Sequence, residues 1–227
     1  MQLLILGRGK TGSLVAEVAR ERGHRIEVLG SKENQHAVAL TAERLQSCDC
    51  VLDFTNPHAV LENIDACVRS RKNMIAGTTG WYGEVRKVRE QVEKSGTGFV
   101  YAANFSIGVN LFFDIARNAT TALKFSYFGQ INEHHHVQKK DAPSGTAIML
   151  QRLVKDSVGA ELPISSFREG DTVGMHEIIF TSENDSIRLI HDAKSRRGFA
   201  EGAVRAAEWL KGKSGFYNFQ EVWRELT

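Results

Sequence analysis

The side chains best suited to acid–base chemistry are concentrated in residues 133–147, which read EHHHVQKKDAPSGTA. A histidine or a lysine can donate a proton to a reacting group near neutral pH. His135 and Lys139 are therefore candidate proton donors. Asp141 can either orient Lys139 or cap the helix that follows, and we favour the capping role.

The end of this segment has the composition of a helix's first turn. The free N–H groups and the positive dipole end of such a turn can bind a carboxylate. His136 or Lys139 can contact the same carboxylate from the side. The candidate anion-binding residues of the turn are Ser144, Gly145 and Thr146.

The three adjacent histidines raise the alternative of a metal site. Neighbouring residues of a strand point to opposite faces, so His134 and His136 can share a face while His135 cannot. We therefore predict no bound metal. His134 is expected at the surface or in a supporting role.

A glycine triplet predicts a phosphate-binding turn near the start of the chain. Gly7, Gly9 and Gly12 have the spacing G-x-G-x-x-G, after the apolar run Leu3–Leu6 and before a helical pattern. A lone triplet is a weak signal, but a preceding strand and a following helix favour a dinucleotide pyrophosphate. The expected cofactor contacts here are Gly7, Arg8, Gly9, Lys10, Thr11 and Gly12.

The end of the second predicted strand bears on the choice of cofactor. An acidic side chain there favours NADH, but the sequence continues with Gly30, Ser31 and Lys32, and Glu33 is expected beyond the tip. Ser31 and Lys32, helped by Lys10, can bind the 2′-phosphate of NADPH. They can equally be exposed loop residues. We favour NADPH over NADH.

Alternating strands and helices must position these groups. Helical patterns lie between the predicted strands, and this alternation indicates right-handed crossovers and a Rossmann-like, doubly wound parallel sheet. Asp53 and Thr55 would lie on its ligand-facing edge, although Asp53 can equally fix a turn. The predicted strands are Leu3–Leu6, Ile26–Leu29, Cys50–Phe54, Met74–Ala76 and Phe99–Ala102.

The pattern changes after Asn104. Ile107–Leu123 fits one long helix, and a later Ala-rich helix runs through Leu210 with an undetermined packing partner. The result is a smaller α+β domain with a mixed or antiparallel sheet over residues 106–197, and a dinucleotide-binding domain over 1–105 that is rejoined by about 198–227. The strands predicted for the smaller domain are Phe125–Ile131, Glu177–Thr181 and Ile187–His191.

Composition excludes several classes of protein. The 227 residues are 42% hydrophobic and 25% charged, with a net charge of +2, so neither nucleic-acid nor membrane binding is expected. The three cysteines form no C-x-x-C pair, which argues against a disulfide framework or a cysteine zinc site. The N-terminus lacks the pattern of a signal peptide, so we expect a cytoplasmic protein.

The segment E-x-H-H-x-x-K-x-D-A-P-S-G-T closely resembles the 4-hydroxy-tetrahydrodipicolinate reductase family, also called dihydrodipicolinate reductases. Residues 77–80 (GTTG) and 102–110 (AANFSIGVN) carry the same resemblance. It extends almost from end to end of the chain. The long segment is specific, whereas the glycine triplet alone would not be.

The resemblance implies reduction of a cyclic dicarboxylate to tetrahydrodipicolinate by NADPH or NADH, in the diaminopimelate route to lysine. It implies acid–base roles for His135 and Lys139, and substrate binding by His136, Lys139 and the Gly145–Thr146 step. The nucleotide contacts that it adds to the glycine turn are Gly77, Thr78, Thr79, Ala102, Ala103, Asn104 and Phe105.

The resemblance also implies a homotetramer assembled through the sheet of the second domain. The chain is short for the family, which leaves tetramer against dimer open. Arg196 and Arg197 can lie at a hinge, and their role stays open as well. The alternatives to the reductase are a different nicotinamide oxidoreductase and a noncatalytic nucleotide sensor.

Overall fold

The computed structural model describes residues 1–226 and divides into two compact units. The first unit comprises Met1–Ile107 together with the chain from Arg197 onward, and the second comprises Gly108–Arg196. The strands are β1 (Gln2–Leu6), β2 (Arg25–Leu29), β3 (Cys50–Asp53), β4 (Met74–Ala76), β5 (Gly98–Tyr101), β6 (Phe128–His135), β7 (Ile164–Arg168), β8 (Met175–Thr181), β9 (Ser186–Asp192) and β10 (Gly215–Asn218). The helices are α1 (Lys10–Glu21), α2 (Ala42–Ser47), α3 (Pro57–Arg69), α4 (Val85–Ser95), α5 (Ile107–Ala119), α6 (Gly145–Val158), α7 (Arg197–Trp209) and α8 (Phe219–Val222). Within residues 1–226, no helix has the length and apolar character needed to cross a membrane.

The first unit contains a six-stranded parallel sheet in the order β10-β5-β4-β3-β1-β2. Strands β1 and β3 are apolar along almost their whole length because helices cover both faces of the sheet. The chain leaves β1 toward β2 on one side and returns to β3 on the other. The carboxyl ends of β1 and β3 therefore form the switch point at which such sheets bind ligands.

Two helix pairs build the layers of this unit. Helices α1 and α7 pack on one face of the sheet through small side chains such as Ala19 and Ala203. Helices α3 and α4 cover the other face, with Ile64 and Val92 fully buried. The partner of the Ala-rich helix, undetermined from the sequence, is therefore α1.

The second unit contains a four-stranded mixed sheet in the order β7-β6-β8-β9. Strand β6 runs parallel to β7 and antiparallel to β8. Helices α5 and α6 cover one face, where Phe112 and Leu150 pack on Ile131 and Phe180. Together with the parallel sheet, this arrangement confirms the predicted fold class.

The second unit differs from the sequence-based prediction in the bounds of one helix and one strand, and it contains the unpredicted strand β7. The helix predicted over Ile107–Leu123 ends at Ala119 and continues as a 3₁₀ helix over Thr120–Phe125. Ser126 then adopts a left-handed conformation with φ of 63°, which stops the helix. The strand predicted over Phe125–Ile131 consequently begins at Phe128 and runs on to His135.

The contact between α7 and the chain that follows β5 yields a stability prediction. A Cβ at Gly202 would collide with the backbone carbonyl of Phe105, which cannot rotate away. We expect Gly202→Ala to lower the free energy of unfolding by about 1–3 kcal/mol, as overpacking does. The control is Gly83→Ala, where a Cβ meets no other residue within 4 Å. Urea unfolding that gave equal stabilities for the two variants would contradict this packing.

Candidate functional site

The glycine turn after β1 places backbone without side chains at the switch point. Gly7 has φ of +106°, and a Cβ on it would meet the carbonyl of Phe54, while a Cβ on Gly12 would meet the carbonyl of Gly7. Gly9 is the N-cap of α1, has open space around it, and makes no side-chain cap within residues 1–226. The first amides of α1 are therefore free to bind an anion, and the turn fits a pyrophosphate.

Two clefts at this edge gather many of the predicted cofactor residues. The larger, of about 720 Å³, lies beside the glycine turn, and the smaller, of about 380 Å³, lies beside the ends of β3 and β4. Of the predicted residues, the larger cleft is lined by Gly7, Arg8, Gly9, Ser31 and Lys32. The smaller is lined by Thr11, Gly77, Thr78, Thr79 and Ala103.

Other predicted cofactor residues lie away from both clefts. Ala102 and Phe105 are buried in the core, and Gly12 lies under the turn. Asn104 accepts a hydrogen bond from the backbone N–H of Ser106, and Lys10 is exposed at the start of α1. Their cofactor contacts remain predictions.

A third cleft, of about 280 Å³, extends the first unit's ligand edge beyond Ser31. It is lined by His36 and Glu62, whose side chains are joined by a hydrogen bond of 3.0 Å. The sequence-based prediction missed both residues, because they come from a loop and a helix without a recognisable motif. Their position next to Ser31 is suited to the adenine end of a dinucleotide.

Asp53 fixes the turn at the end of β3. Its buried carboxylate accepts hydrogen bonds from the hydroxyls of Thr55 (2.7 Å) and Thr78 (2.6 Å) and from the amide of Asn63 (2.7 Å). Burial raises the pKa of Asp53, and these hydrogen bonds offset the effect only in part. Of the two roles open to Asp53, the structure supports the turn-fixing one, which holds the ends of β3 and β4 together.

The sequence analysis expected Glu33 beyond the tip of β2. In the structure, its side chain instead lies at the end of β2. Its carboxylate folds back and accepts a hydrogen bond of 2.5 Å from the backbone N–H of Gly30. The other oxygen forms an ion pair of 2.8 Å with Arg8. An acidic group therefore does lie at the end of the second strand, next to Ser31 and Lys32.

The acid–base segment begins inside the sheet of the second unit. Glu133 and His135 lie on the covered face of β6, and Nδ1 of His135 contacts the Glu133 carboxylate. Arg168 on β7 binds the same carboxylate, with 2.8 Å between its Nη2 and Glu133 Oε1. Burial raises the pKa of Glu133, but its hydrogen bonds, from Arg168 above all, lower it to about 2. Glu133 is thus a buried anion bound by Arg168 and by the ring of His135.

The predicted helix start lies next to this anion. Ser144 caps α6, because its Oγ accepts a hydrogen bond of 3.2 Å from the N–H of Ala147. Its own N–H donates to Glu133 at 3.3 Å, and its Oγ lies 3.0 Å from Nε2 of His176. Burial lowers the pKa of His176 to about 4, so this ring is neutral near pH 7. Gly145 follows with open space around its Cα.

Lys139 is held by Asp141. Its Nζ lies 2.7 and 2.8 Å from the two carboxylate oxygens. The preference for Asp141 as a helix cap was therefore wrong, because Ser144 occupies the cap position and Asp141 orients the lysine instead. The backbone N–H of Lys139 donates to the carbonyl of His136 at 3.1 Å, so these two residues share one turn.

The remaining conspicuous residues lie outside this cluster. His134 is on the opposite face of β6, where it stacks on Phe167 and hydrogen bonds to Glu169. Arg197 forms ion pairs with Glu21 of α1 and with Glu201 of its own helix. Arg196 is exposed.

One grouping of potential metal ligands was not predicted. Ligand atoms of Glu133, His135 and His176 all lie within 4.8 Å of one another. Sequence spacing cannot reveal it, because His176 comes from β8. Both oxygens of Glu133 already have hydrogen-bond partners, Arg168 and His135, whereas the buried Nδ1 of His176 has none among residues 1–226.

Comparison with known proteins assigns the family. The family model described as dihydrodipicolinate reductase, N-terminus, matches residues 1–105, and the one described as its C-terminus matches residues 108–223. A 4-hydroxy-tetrahydrodipicolinate reductase of Christiangramia forsetii is 35% identical over the whole chain and 99% of its own length. The chain belongs to the dihydrodipicolinate reductase family.

Two further members of the dihydrodipicolinate reductase family are similar to the chain. The 4-hydroxy-tetrahydrodipicolinate reductase of Neisseria meningitidis serogroup A is 36% identical over 78% of this chain and 73% of its own. The dipicolinate-bound dihydrodipicolinate reductase of Paenisporosarcina sp. TG-14 shares the fold, with a TM-score of 0.80, 24% identity, and coverage of 98% of this chain and 99% of that one. The Christiangramia relative matches over 99% of its own length, so the compact length of the chain is shared with this dihydrodipicolinate reductase.

Proposed function

We propose that the chain reduces 4-hydroxy-tetrahydrodipicolinate to tetrahydrodipicolinate with NADPH or NADH, in the diaminopimelate route to lysine. The observation that carries the proposal is that one buried carboxylate, Glu133, binds His135 and the capped start of α6, while Arg168 links it to the residue that holds Lys139. This arrangement occurs in a chain that matches the family along its whole length. The phosphate turn of the first unit supports the same activity.

The cofactor supplies the hydride. In the first unit, the amides at the start of α1 would bind its pyrophosphate, and the two clefts beside β1 and β3 would take its two halves. Direct transfer requires the nicotinamide to meet the substrate ring, so the reaction uses residues of both units.

The second unit would bind the substrate carboxylates. The N–H groups of Gly145 and Thr146 at the start of α6, with the helix dipole behind them, suit one carboxylate. The cationic side chain of Lys139 and the imidazole of His136 suit the rest of the dianion. Dipicolinate, found on the Paenisporosarcina relative, is a ring dicarboxylate of this kind.

His135 and Lys139 would move the protons. Replacing the 4-hydroxyl of the substrate by hydrogen consumes one hydride and one proton and releases one water. The proton must come from a group near the ring, and these two side chains are the proposed donors. Asp141 orients the amine of Lys139, and Glu133 contacts the imidazole of His135.

The cofactor preference would be set beside β2. Ser31 and Lys32 favour the 2′-phosphate of NADPH, as the sequence suggested, whereas the carboxylate of Glu33 favours the free ribose hydroxyls of NADH. A 2′-phosphate would also compete with Glu33 for Arg8. We therefore propose that both cofactors are used, with the Arg8–Glu33 pair limiting the advantage of NADPH.

We further propose a cytoplasmic homotetramer. The outer face of the mixed sheet carries apolar side chains that α5 and α6 do not cover: Phe128 is 82% exposed, Ile190 56% and Phe167 43%. Exposed apolar side chains on one sheet face indicate a binding surface. A second copy of the chain would cover it, as the resemblance to the family implies.

Replacing the proposed proton donors tests the reaction. We expect Lys139→Ala and His135→Ala to lower kcat by about 100-fold or more, because each removes a proton donor. Binding of the reduced cofactor, followed by fluorescence titration, should stay nearly unchanged. Turnover is measured by cofactor absorbance with freshly made substrate, and Lys140→Ala, an exposed neighbour, is the control. Wild-type turnover in both variants would refute the assignment.

Two substitutions beside β2 test cofactor recognition. Lys32→Ala should lower kcat/KM for NADPH by about tenfold and for NADH much less, because it removes a charge-assisted contact. Glu33→Gln should raise the NADPH to NADH ratio, because it frees Arg8. Lys94→Ala at the end of α4 serves as the charge control. Equal changes for both cofactors would rule out the phosphate contact.

The outer face of the mixed sheet makes a prediction about assembly. Ile190→Glu should reduce the mass measured by sedimentation from about four chains of 25.3 kDa to a smaller species, because it buries a charge in the interface. Ile115→Glu, which alters an equally apolar and 45% exposed side chain on α5, should leave the mass unchanged. A wild-type monomer would end the proposal.

A further inference from the structure

Glu133 connects three parts of the second unit. One oxygen contacts Nδ1 of His135 on its own strand, and the other accepts hydrogen bonds from Arg168 Nη2 on β7 and from the N–H of Ser144 at the start of α6. A fully buried carboxylate must be satisfied by partners of fixed geometry, or the charge is too costly to bury. Glu133 therefore constrains the positions of all three partners at once.

We propose that Glu133 is a positioning residue: it holds the His135 ring with a proton on Nδ1, so that Nε2 is the nitrogen that exchanges a proton with the substrate. This inference rests on the function proposed above. A carboxylate behind an imidazole sets its tautomer and orientation in the same way in other enzymes.

The surroundings of Nε2 agree with this role. A Cβ at Gly174 would lie 3.0 Å from Nε2, so the absence of a side chain at this position leaves room beside the ring. The ring of His176 meets that of His135 edge to face, with 5.2 Å between their centres. Among residues 1–226, the hydrogen-bond partner of the ring is Glu133, on Nδ1.

The same carboxylate also reaches the second proposed proton donor. Arg168 Nη2 donates to the backbone carbonyl of Asp141 at 2.6 Å as well as to Glu133 at 2.8 Å. The side chain of Asp141 in turn holds Lys139. Glu133 therefore positions His135 directly and Lys139 through Arg168 and Asp141.

Four charged or titratable groups face His135. Glu133 lies on the same strand, Lys139 on the segment after it, Arg168 on β7 and His176 on β8. Burial lowers the pKa of His135, and Glu133 acts against this effect, while Lys139 and Arg168 add to it. Removing the negative charge of Glu133 therefore lowers the pKa of His135 further, and the protonated ring persists only to a lower pH.

Three variants test the proposal. Glu133→Gln should lower kcat at pH 7.5 by about tenfold or more and move the basic limb of the kcat profile to lower pH by about one unit. Glu133→Asp keeps the charge, so its basic limb should stay in place while kcat falls. Glu169→Gln is the matched control, because Glu169 binds His134 on the opposite face of the same strand. Urea unfolding and cofactor titration of each variant separate these effects from misfolding.

A measurement that does not use activity keeps the inference separate from the proposed function. Nitrogen-15 NMR of the imidazoles, with His135→Gln to assign the signal, should show the Nδ1–H form of His135 in the wild type and its loss in Glu133→Gln. If the wild type showed the Nδ1–H form but did not reduce the substrate, the proposed reaction would be wrong and the tautomer assignment would remain valid.

Three results would overturn the inference itself. They are an Nε2–H ring in the wild type, an unmoved pH profile in an active and folded Glu133→Gln, and a kcat of Glu133→Asp equal to that of the wild type. If Glu133→Gln does not fold, the kcat of Glu133→Asp and the nitrogen-15 spectrum of the wild type still test the inference.

Discussion

A buried ionised carboxylate, Glu133, determines how the second unit arranges its polar groups. Removing such a charge from water costs several kcal/mol unless well-placed donors surround it. Its donors come from β6, β7 and the start of α6, so the cost of burial is met only when these elements occupy their observed positions. The need to satisfy Glu133 therefore fixes both the packing of these elements and the geometry of the polar site.

The first unit prepares for an anion in a different way. Its candidate anion-binding groups are backbone N–H groups and not charged side chains. The Gly7 turn and the uncapped start of α1 leave these N–H groups exposed at the sheet edge. Asp53 is buried there as well, but its partners are hydroxyls and an amide, and its role is to hold strand ends together. Backbone N–H groups can bind a pyrophosphate without a permanent buried cation, whereas the polar site of the second unit is built from fixed, paired charges.

The features that could be predicted from the sequence are those that depend on local residue patterns. Apolar runs and the glycine spacing indicated five strands of the parallel sheet, and the crowding of ionisable groups indicated the segment from Glu133 to Thr146. Strands β7 and β10 were missed, because ISSFR and GFYN show neither a continuous apolar run nor a strict alternation. Each is a strand because a neighbouring strand pairs with it.

The partners of Glu133 could not be predicted for the same reason. Register places Ser166 of β7 and His176 of β8 opposite Glu133, and this depends on pairing between segments far apart in the chain. The error at Asp141 was local. Both Asp141 and Ser144 can cap a helix, and only the place where the helix begins distinguishes them. Glu33 was misplaced because the chain turns back after β2, which residue type alone does not reveal.

The charge balance of the cluster links its structure to its proposed chemistry. Arg168 balances Glu133, and Lys139 balances Asp141, while burial favours the neutral rings of His135 and His176. Without a ligand, the group is therefore close to neutral. In the proposed reaction, a dicarboxylate bound beside it would add two negative charges in a poorly solvated place, and this would favour a proton on the nearest imidazole. Binding of the substrate would thus help to load the proton donor that the reduction requires, and His135, the ring already held by a carboxylate, is the one best able to carry that proton.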